Sequence, residues 1–210
     1  SLYEHDIPTR FSEAALAEAA AAGPVSPEGR VDLRELPLVT IDGADARDFD
    51  DAVFAEPDGD PKNPGGWHLL VAIADVAHYV RPDSALDREA RERGNSVYFP
   101  DLVVPMLPEA LSNGWCSLRP GEDRACMAVH LWIDADGRLK RQKFVRGIMR
   151  SVARLTYEQV QLAHDGHPDE ETAPLRESVI EPLYGAFRAL LKARQRRGTK
   201  AGKEINTNGA

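Results

Sequence analysis

A chain of 210 residues is long enough for one large domain with a sizeable core, and 42% hydrophobic with 29% charged is an ordinary globular balance. No apolar run approaches the roughly 18 residues of a membrane span. The start, "SLYEHDIPTRF", lacks the basic and apolar regions of a secretion signal, so a soluble, cytoplasmic protein without membrane contact is expected. The net charge of −8 is unevenly spread: residues 1–60 hold 15 acids and 4 bases, whereas 138–154 and 186–203 each hold seven bases and no acid. Basic stretches beside a dense acidic loop suit a site that holds a polyanion together with cations, although each basic run alone is better read as a solvated face. Cys116 and Cys126 lack metal-type spacing and read as reduced, packed thiols.

Taken in order, "FSEAALAEAAAAG" opens with the N-cap candidate Ser12 and stops at Gly23, which predicts a lead-in helix. "PVSPEGRVDLRELP" is punctuated by prolines and reads as an extended connector. "LVTI" (38–41) predicts a short strand delivering Asp42 at its end, and "DAVFAE" (51–56) predicts a second strand. "WHLLVAIADV" (67–76) is almost wholly apolar, the signature of a central strand buried on both faces. "DSALDREARERG" (83–94) reads as a helix with Ser84 near its start and Gly94 after its end. The proline-spaced segment 95–113 leaves room only for a short helical turn near its end. Residues 125–134 and 138–151, joined around "ADG", predict a long hairpin. "TYEQVQLAH" (156–164) predicts another helix, and Leu175, Val179, Leu183, Phe187, Leu190 and Leu191 give helical spacing over 172–197. Strands first and helices later indicate an α+β fold, a mixed or antiparallel sheet with a long hairpin flanked by helices. The tail "GTKAGKEINTNGA" has the composition of a flexible end.

Asp42, Asp48, Asp50 and Asp51 form the spacing Asp-x5-Asp-x-Asp-Asp. Carboxylates this close raise one another's pKa, and a hard divalent cation such as Mg²⁺ removes that repulsion while using their oxygens as ligands. Adjacent Asp50 and Asp51 face opposite ways in a regular strand, so they converge with Asp42 only if 43–50 is a loop. An EF-hand is excluded, because no starting aspartate meets its acid, glycine and glutamate positions together. A merely solvated acidic loop remains the alternative. With a nucleic acid nearby, the chemistry expected of one or two bound ions is in-line phosphodiester hydrolysis. His78 reads as a buried, hydrogen-bonded histidine, His164 and His167 as no metal site, and Trp67, Trp115 and Trp132 as packing residues.

"TIDGADARDFDDAV" resembles the aspartate motif of the ribonuclease II/ribonuclease R family of exoribonucleases. The likeness continues in "LLVAIADVAHYV", "DREARERGNSVYFPDLVVPMLPEALSNGWCSLRPGEDRACM" and "SVARLTYEQV", covering roughly residues 3–198, and is closer to the ribonuclease R branch. It implies an RNB-type catalytic domain that degrades single-stranded RNA from the 3′ end by Mg²⁺-dependent hydrolysis, releasing nucleoside 5′-monophosphates. By the same resemblance, Asp42, Asp48 and Asp51 are metal ligands or their supports and Asp50 the essential catalytic aspartate. Asp45 matches a position that is not acidic elsewhere in the family. Tyr98 in "SVYFP" matches an aromatic that stacks on RNA near the site, and Tyr157 in "LTYEQV" a second tyrosine lining the RNA path. An aromatic platform suits an enzyme that accepts every base.

Three regions are expected: a lead-in helix and connector (1–30), an N-terminal portion of the catalytic domain (31–198) and a flexible tail (199–210). The arginine, glutamate and aromatic that the family's second half supplies cannot be placed in this sequence, so a fragment or truncated form is expected. The alternative function is a catalytically silent RNA-binding or regulatory module. A Mg²⁺-binding protein of unrelated purpose is a third reading.

Overall fold

The computed structural model describes residues 9–99 and 102–198. The tail 199–210 and residues 1–8 lie outside them. A seven-stranded sheet is built from β1 (Val31–Asp32), β2 (Val39–Asp42), β3 (Asp51–Pro57), β4 (Trp67–Ala74), β7 (Asp123–Ile133), β8 (Leu139–Arg150) and β9 (Ala153–Thr156). Its spatial order is β1-β8-β7-β4-β3-β2-β9. The interior pairings are antiparallel, and only the two edge strands, β1 on β8 and β9 on β2, pair parallel. The expected α+β architecture and long hairpin are therefore present. A two-stranded ribbon, β5 (Val97–Tyr98) with β6 (Val103–Val104), occupies the proline-spaced segment, followed by a π-turn at Leu111–Trp115.

Helices form where local signals ask for them. Ser12 caps α1 (Glu13–Ala20) by accepting from the Ala15 N–H, and Ser84 caps α3 (Ala85–Arg93) through Asp87 N–H. Gly94 ends α3 in the left-handed region (φ 75°), where a side chain is strained. Thr156 and Gln159 form a reciprocal capping box that starts α4 (Tyr157–His164) directly from the end of β9. The short α2 (Val76–Tyr79) follows β4, and α5 (Glu181–Arg196) continues a 3₁₀ turn at Ala173–Leu175 and a π-turn at Arg176–Ile180. The lead-in helix is part of the fold: Ala15 and Ala19 are buried, and Glu18 accepts from the N–H groups of Ala85 and Leu86 at the start of α3.

Two hydrophobic cores lie on opposite faces of the sheet. One gathers Phe54, Leu70, Ala72, Ala74, Cys126, Ala128, Val145 and Met149 beneath α1, α3 and the 107–118 segment. The other joins Val39, Ala153 and Leu155 to Val160 and Ala163 of α4 and to Val179 and Ile180. Both cysteines are buried and free; burial pushes the Cys116 thiol up to about 12 and the Cys126 thiol up to about 11.

Two expectations are corrected. Strand β4 is central but not buried on both faces: Leu70, Ala72 and Ala74 enter the first core, while Ile73 is 51% exposed. Its neighbours on that open face, Met127 and Phe144, are exposed too. The helix that covers this face reaches only part of it, with Gly185 of α5 seated on the Trp67 ring. The apolar stripe of α5 also differs from its sequence periodicity. Phe187 and Leu190 are exposed, and Gly185, Ala186, Ala189 and Ala193 are the buried residues. Close approach to Trp67 and to the hairpin turn leaves room only for small side chains on that face.

Candidate active site and metal centre

The acidic loop joins two strand ends. Asp42 closes β2 and Asp51 opens β3, and the antiparallel pairing of these strands draws the ends together with 43–50 as the connecting loop. This loop is the condition under which neighbouring aspartates can converge. Its backbone is fixed at several points. The Phe49 N–H donates to Ser117 Oγ at 3.2 Å, and Phe49 O accepts from the Leu118 N–H at 2.6 Å. Asp50 O accepts from the Ala74 N–H at 2.8 Å. The Phe49 ring is buried, so the residue between Asp48 and Asp50 is an anchor.

Asp42 is the electrostatic centre. Desolvation raises its pKa first, and the charges of Asp51, Asp50 and Asp48 raise it further, with Arg154 opposing them. Asp51 is raised by desolvation and then by Asp50. Asp42 thus feels the charges of the other three sequence-predicted aspartates, with Asp42 half-buried and Asp50 and Asp51 exposed. Asp45 is not among the main causes of the Asp42 shift and folds back over Gly43, whose added Cβ would lie 3.1 Å from Asp45 Oδ1.

Among the described residues, Asp42 Oδ2 is buried without a hydrogen-bond partner. A buried carboxylate oxygen in that state is costly, and a cation is the ligand that would satisfy it. In donor type, therefore, the residues fit a hard divalent ion: all are carboxylates and one has an oxygen in need of a partner. Among the described residues, however, no three acidic, histidine or cysteine groups close into a finished metal cage.

Both sequence-predicted tyrosines border this loop. Tyr98, 64% exposed on β5, donates its hydroxyl to Asp48 Oδ2 at 3.3 Å. Burial, then the Asp48 charge, raises the phenol's pKa. Tyr157, 61% exposed, is the first residue of α4 and follows Thr156, which pairs with Asp42 in the parallel ladder. Both rings are thus free to stack on a ligand.

Residue-level reading missed several supports. Arg154 lies on the same strand face as Thr156, and its Nη2 donates to the carbonyls of Ala44 and Ala46, each at 3.1 Å. Its guanidinium also lies over the Phe49 ring, 4.7 Å from the centroid. Ser117 was missed as well. The only signal was their presence within quoted family-like stretches, since residues so far apart in sequence have no local spacing to betray them. Beyond the loop, Asp75 is 1% exposed and bonded by Arg30 and Arg146, each at 2.8 Å. His78 is half-buried with its ring edge-on to Tyr79; its backbone N–H donates to Asp75 O, but among the described residues its ring nitrogens have no hydrogen-bond partner, contrary to expectation. His164 stacks on Tyr184 and meets Glu181, a packing role.

The RNB domain family matches residues 30–208. A ribonuclease R of Vibrio parahaemolyticus is 52% identical over 97% of this chain and 24% of its own length. Among solved structures, Mycoplasma genitalium RNase R in complex with double-stranded RNA superposes with a TM-score of 0.85 at 30% identity, covering 93% of this chain and 35% of that one. The same protein in complex with ribose methylated single-stranded RNA gives 0.82 at 32% identity, covering 93% and 30%. The chain spans about a quarter of the length of the curated relative named here.

Proposed function

Because the chain belongs to the RNB-domain family of ribonuclease R-like proteins, we propose that it supplies the catalytic carboxylates of a Mg²⁺-dependent 3′-to-5′ exoribonuclease acting on single-stranded RNA and releasing nucleoside 5′-monophosphates. The observation that carries this reading is the partnerless buried oxygen of Asp42 set among three further carboxylates. In it, Asp42, Asp48 and Asp51 hold one or two ions. Asp50, on backbone fixed on either side by Phe49 and Ala74, orients the attacking water. Bound Mg²⁺ supplies a lowered pKa to that water and charge stabilisation to the departing oxygen. Tyr98 and Tyr157 stack on bases of any identity and seat the chain end over the carboxylates. The buried free thiols support a reducing compartment such as the cytoplasm. The share of the relative's length that is covered supports reading the chain as one portion of a longer catalytic domain.

With 5′-labelled single-stranded RNA and Mg²⁺, the expected product is a ladder shortening from the 3′ end. Asp50→Asn lowers its rate on the order of 10²–10⁴-fold, the range for removing a group that acts on the attacking nucleophile. Failure of a version extended to the relatives' full length to degrade RNA in a metal-dependent way sinks the reading. The second reading is a silent RNA-binding module. RNA binding without turnover, even at high Mg²⁺, in both the chain and its extended version would establish it.

A further inference from the structure

Eight residues carry the backbone from Asp42 to Asp51, and a loop of that length does not hold four carboxylates in one field unless something restrains it. At the Asp50 end the loop backbone is held by Ser117 Oγ, by the Leu118 N–H and by the Ala74 N–H, and Tyr98 reaches the Asp48 side chain. At the Asp42 end, among the described residues, a turn in which the Ala46 N–H donates to Gly43 O is joined by one side-chain restraint. Arg154 stands two pairs from the Asp42–Thr156 position in the parallel ladder, opposite Thr40. Residues two apart in a strand share a face, so Arg154 is on the face that Thr40 and Asp42 present. From there it spans the loop, with Nη2 bridging the carbonyls of Ala44 and Ala46 and the guanidinium plane over Phe49. It thus ties both halves of the loop to the strand beside Asp42.

We infer that Arg154 is the positioning residue of the metal centre: it fixes loop 43–50 so that Asp48, Asp50 and Asp51 meet Asp42 around a divalent cation. The inference rests on the proposed metal role of the loop, and it assigns Arg154 no contact with RNA or with the ion. Two carbonyls and one aromatic ring are held by a single planar cation, a geometry that methionine or alanine cannot reproduce and lysine reproduces only in part.

Three measurements on the chain test it, using wild type, Arg154→Ala and Arg154→Lys. Titration calorimetry with MgCl₂ is expected to show affinity falling about 10–100-fold in R154A, the usual effect of losing a group that orients ligands. R154K, which keeps a donor for the carbonyls, is expected to fall between the two. Amide hydrogen exchange at Ala46–Phe49 is expected to quicken at least tenfold in R154A without metal, while exchange in β4 and β7 stays unchanged. Binding of fluorescein-labelled oligoadenylate in EDTA is expected to stay within twofold. Unchanged loop exchange overturns the inference. So does an R154A Mg²⁺ affinity within twofold of a wild type that binds, or a loss of RNA affinity with metal affinity intact. A wild type that binds no Mg²⁺, with loop exchange still quickened in R154A, instead overturns the metal reading and leaves Arg154 as the loop's clamp.

Discussion

At Asp42, burial and three neighbouring carboxylates all penalise the ionised form, and only Arg154 offsets them. A carboxyl whose pKa is raised on folding contributes stability below its unfolded value and loses it as pH rises through the folded one. At neutral pH without metal, Asp42 therefore works against folding. Asp42→Asn is expected to raise the melting temperature of the metal-free chain by up to a few degrees, since about 1 kcal/mol corresponds to roughly 2–4 °C in a domain of this size. Added Mg²⁺ is expected to raise the wild-type midpoint, by as much as about 2.7 kcal/mol of linkage at a hundredfold excess over Kd, and to do far less for Asp42→Asn. Differential scanning calorimetry with EDTA and with MgCl₂ reads both; a lower metal-free midpoint in the variant contradicts the argument. The crowding at Asp42 was legible in the sequence because its partners lie within nine positions. The dependence of Asp42 on Arg154 was not, because that residue arrives only when β9 docks beside β2.

Strands and caps show where local chemistry suffices. Ser12, Ser84 and Thr156 each accept from a helix N–H, and the β7–β8 hairpin forms on either side of its Gly137 turn. Helix α5 shows where it does not suffice. Its large apolar residues at helical spacing suggested the buried face, yet α5 packs near its C-terminal end through small ones. Gly137, at the turn between β7 and β8, has φ 78°, and a Cβ there would come within 2.1 Å of the Ala189 carbonyl oxygen. The turn thus selects glycine twice, by dihedral and by the helix lying on it. Gly137→Ala is expected to destabilise by more than about 1 kcal/mol, measurable as a lower urea midpoint. Gly29, with φ 73° but open space around its missing Cβ, is the control. Gly29→Ala meets the dihedral penalty alone and is expected to lose less.

Across the whole molecule, the Asp75 network binds the N-terminal connector to the sheet. Asp75 follows β4, and its carboxylate takes Arg30 from the connector and Arg146 from β8. Burial pushes its pKa up, but the bonds from Arg146 and Arg30 outweigh that and hold it below the ordinary carboxylate value. A carboxyl depressed on folding contributes stability above its unfolded value, near 3.8, and loses it as pH falls through the folded value. Asp32 and Asp169, both held down to about 2, act in the same direction. Stability is therefore expected to fall between about pH 4 and pH 2, with a shallower fall in Asp75→Asn. At pH 7 that substitution strands the buried Arg30 guanidinium and is expected to cost about 3–5 kcal/mol. Urea unfolding at several pH values tests both; a variant with the wild-type acid slope contradicts the assignment.

The sequence by itself determined the four aspartates, the strands that deliver them, the helix starts and the α+β class. Each depends on residues within a turn or a strand of one another, where propensity, capping and spacing act directly. Only the tertiary structure decided that β9 lies parallel to β2, that Arg154 and Ser117 hold the acidic loop, that α5 packs through glycine and alanine, and that one face of β4 is left partly open. These depend on register and close approach between segments up to 110 residues apart, which exclude some side chains and recruit others without leaving a periodic trace. The acidic loop is written locally; what holds it in shape comes from residues 68 to 110 positions further along the chain.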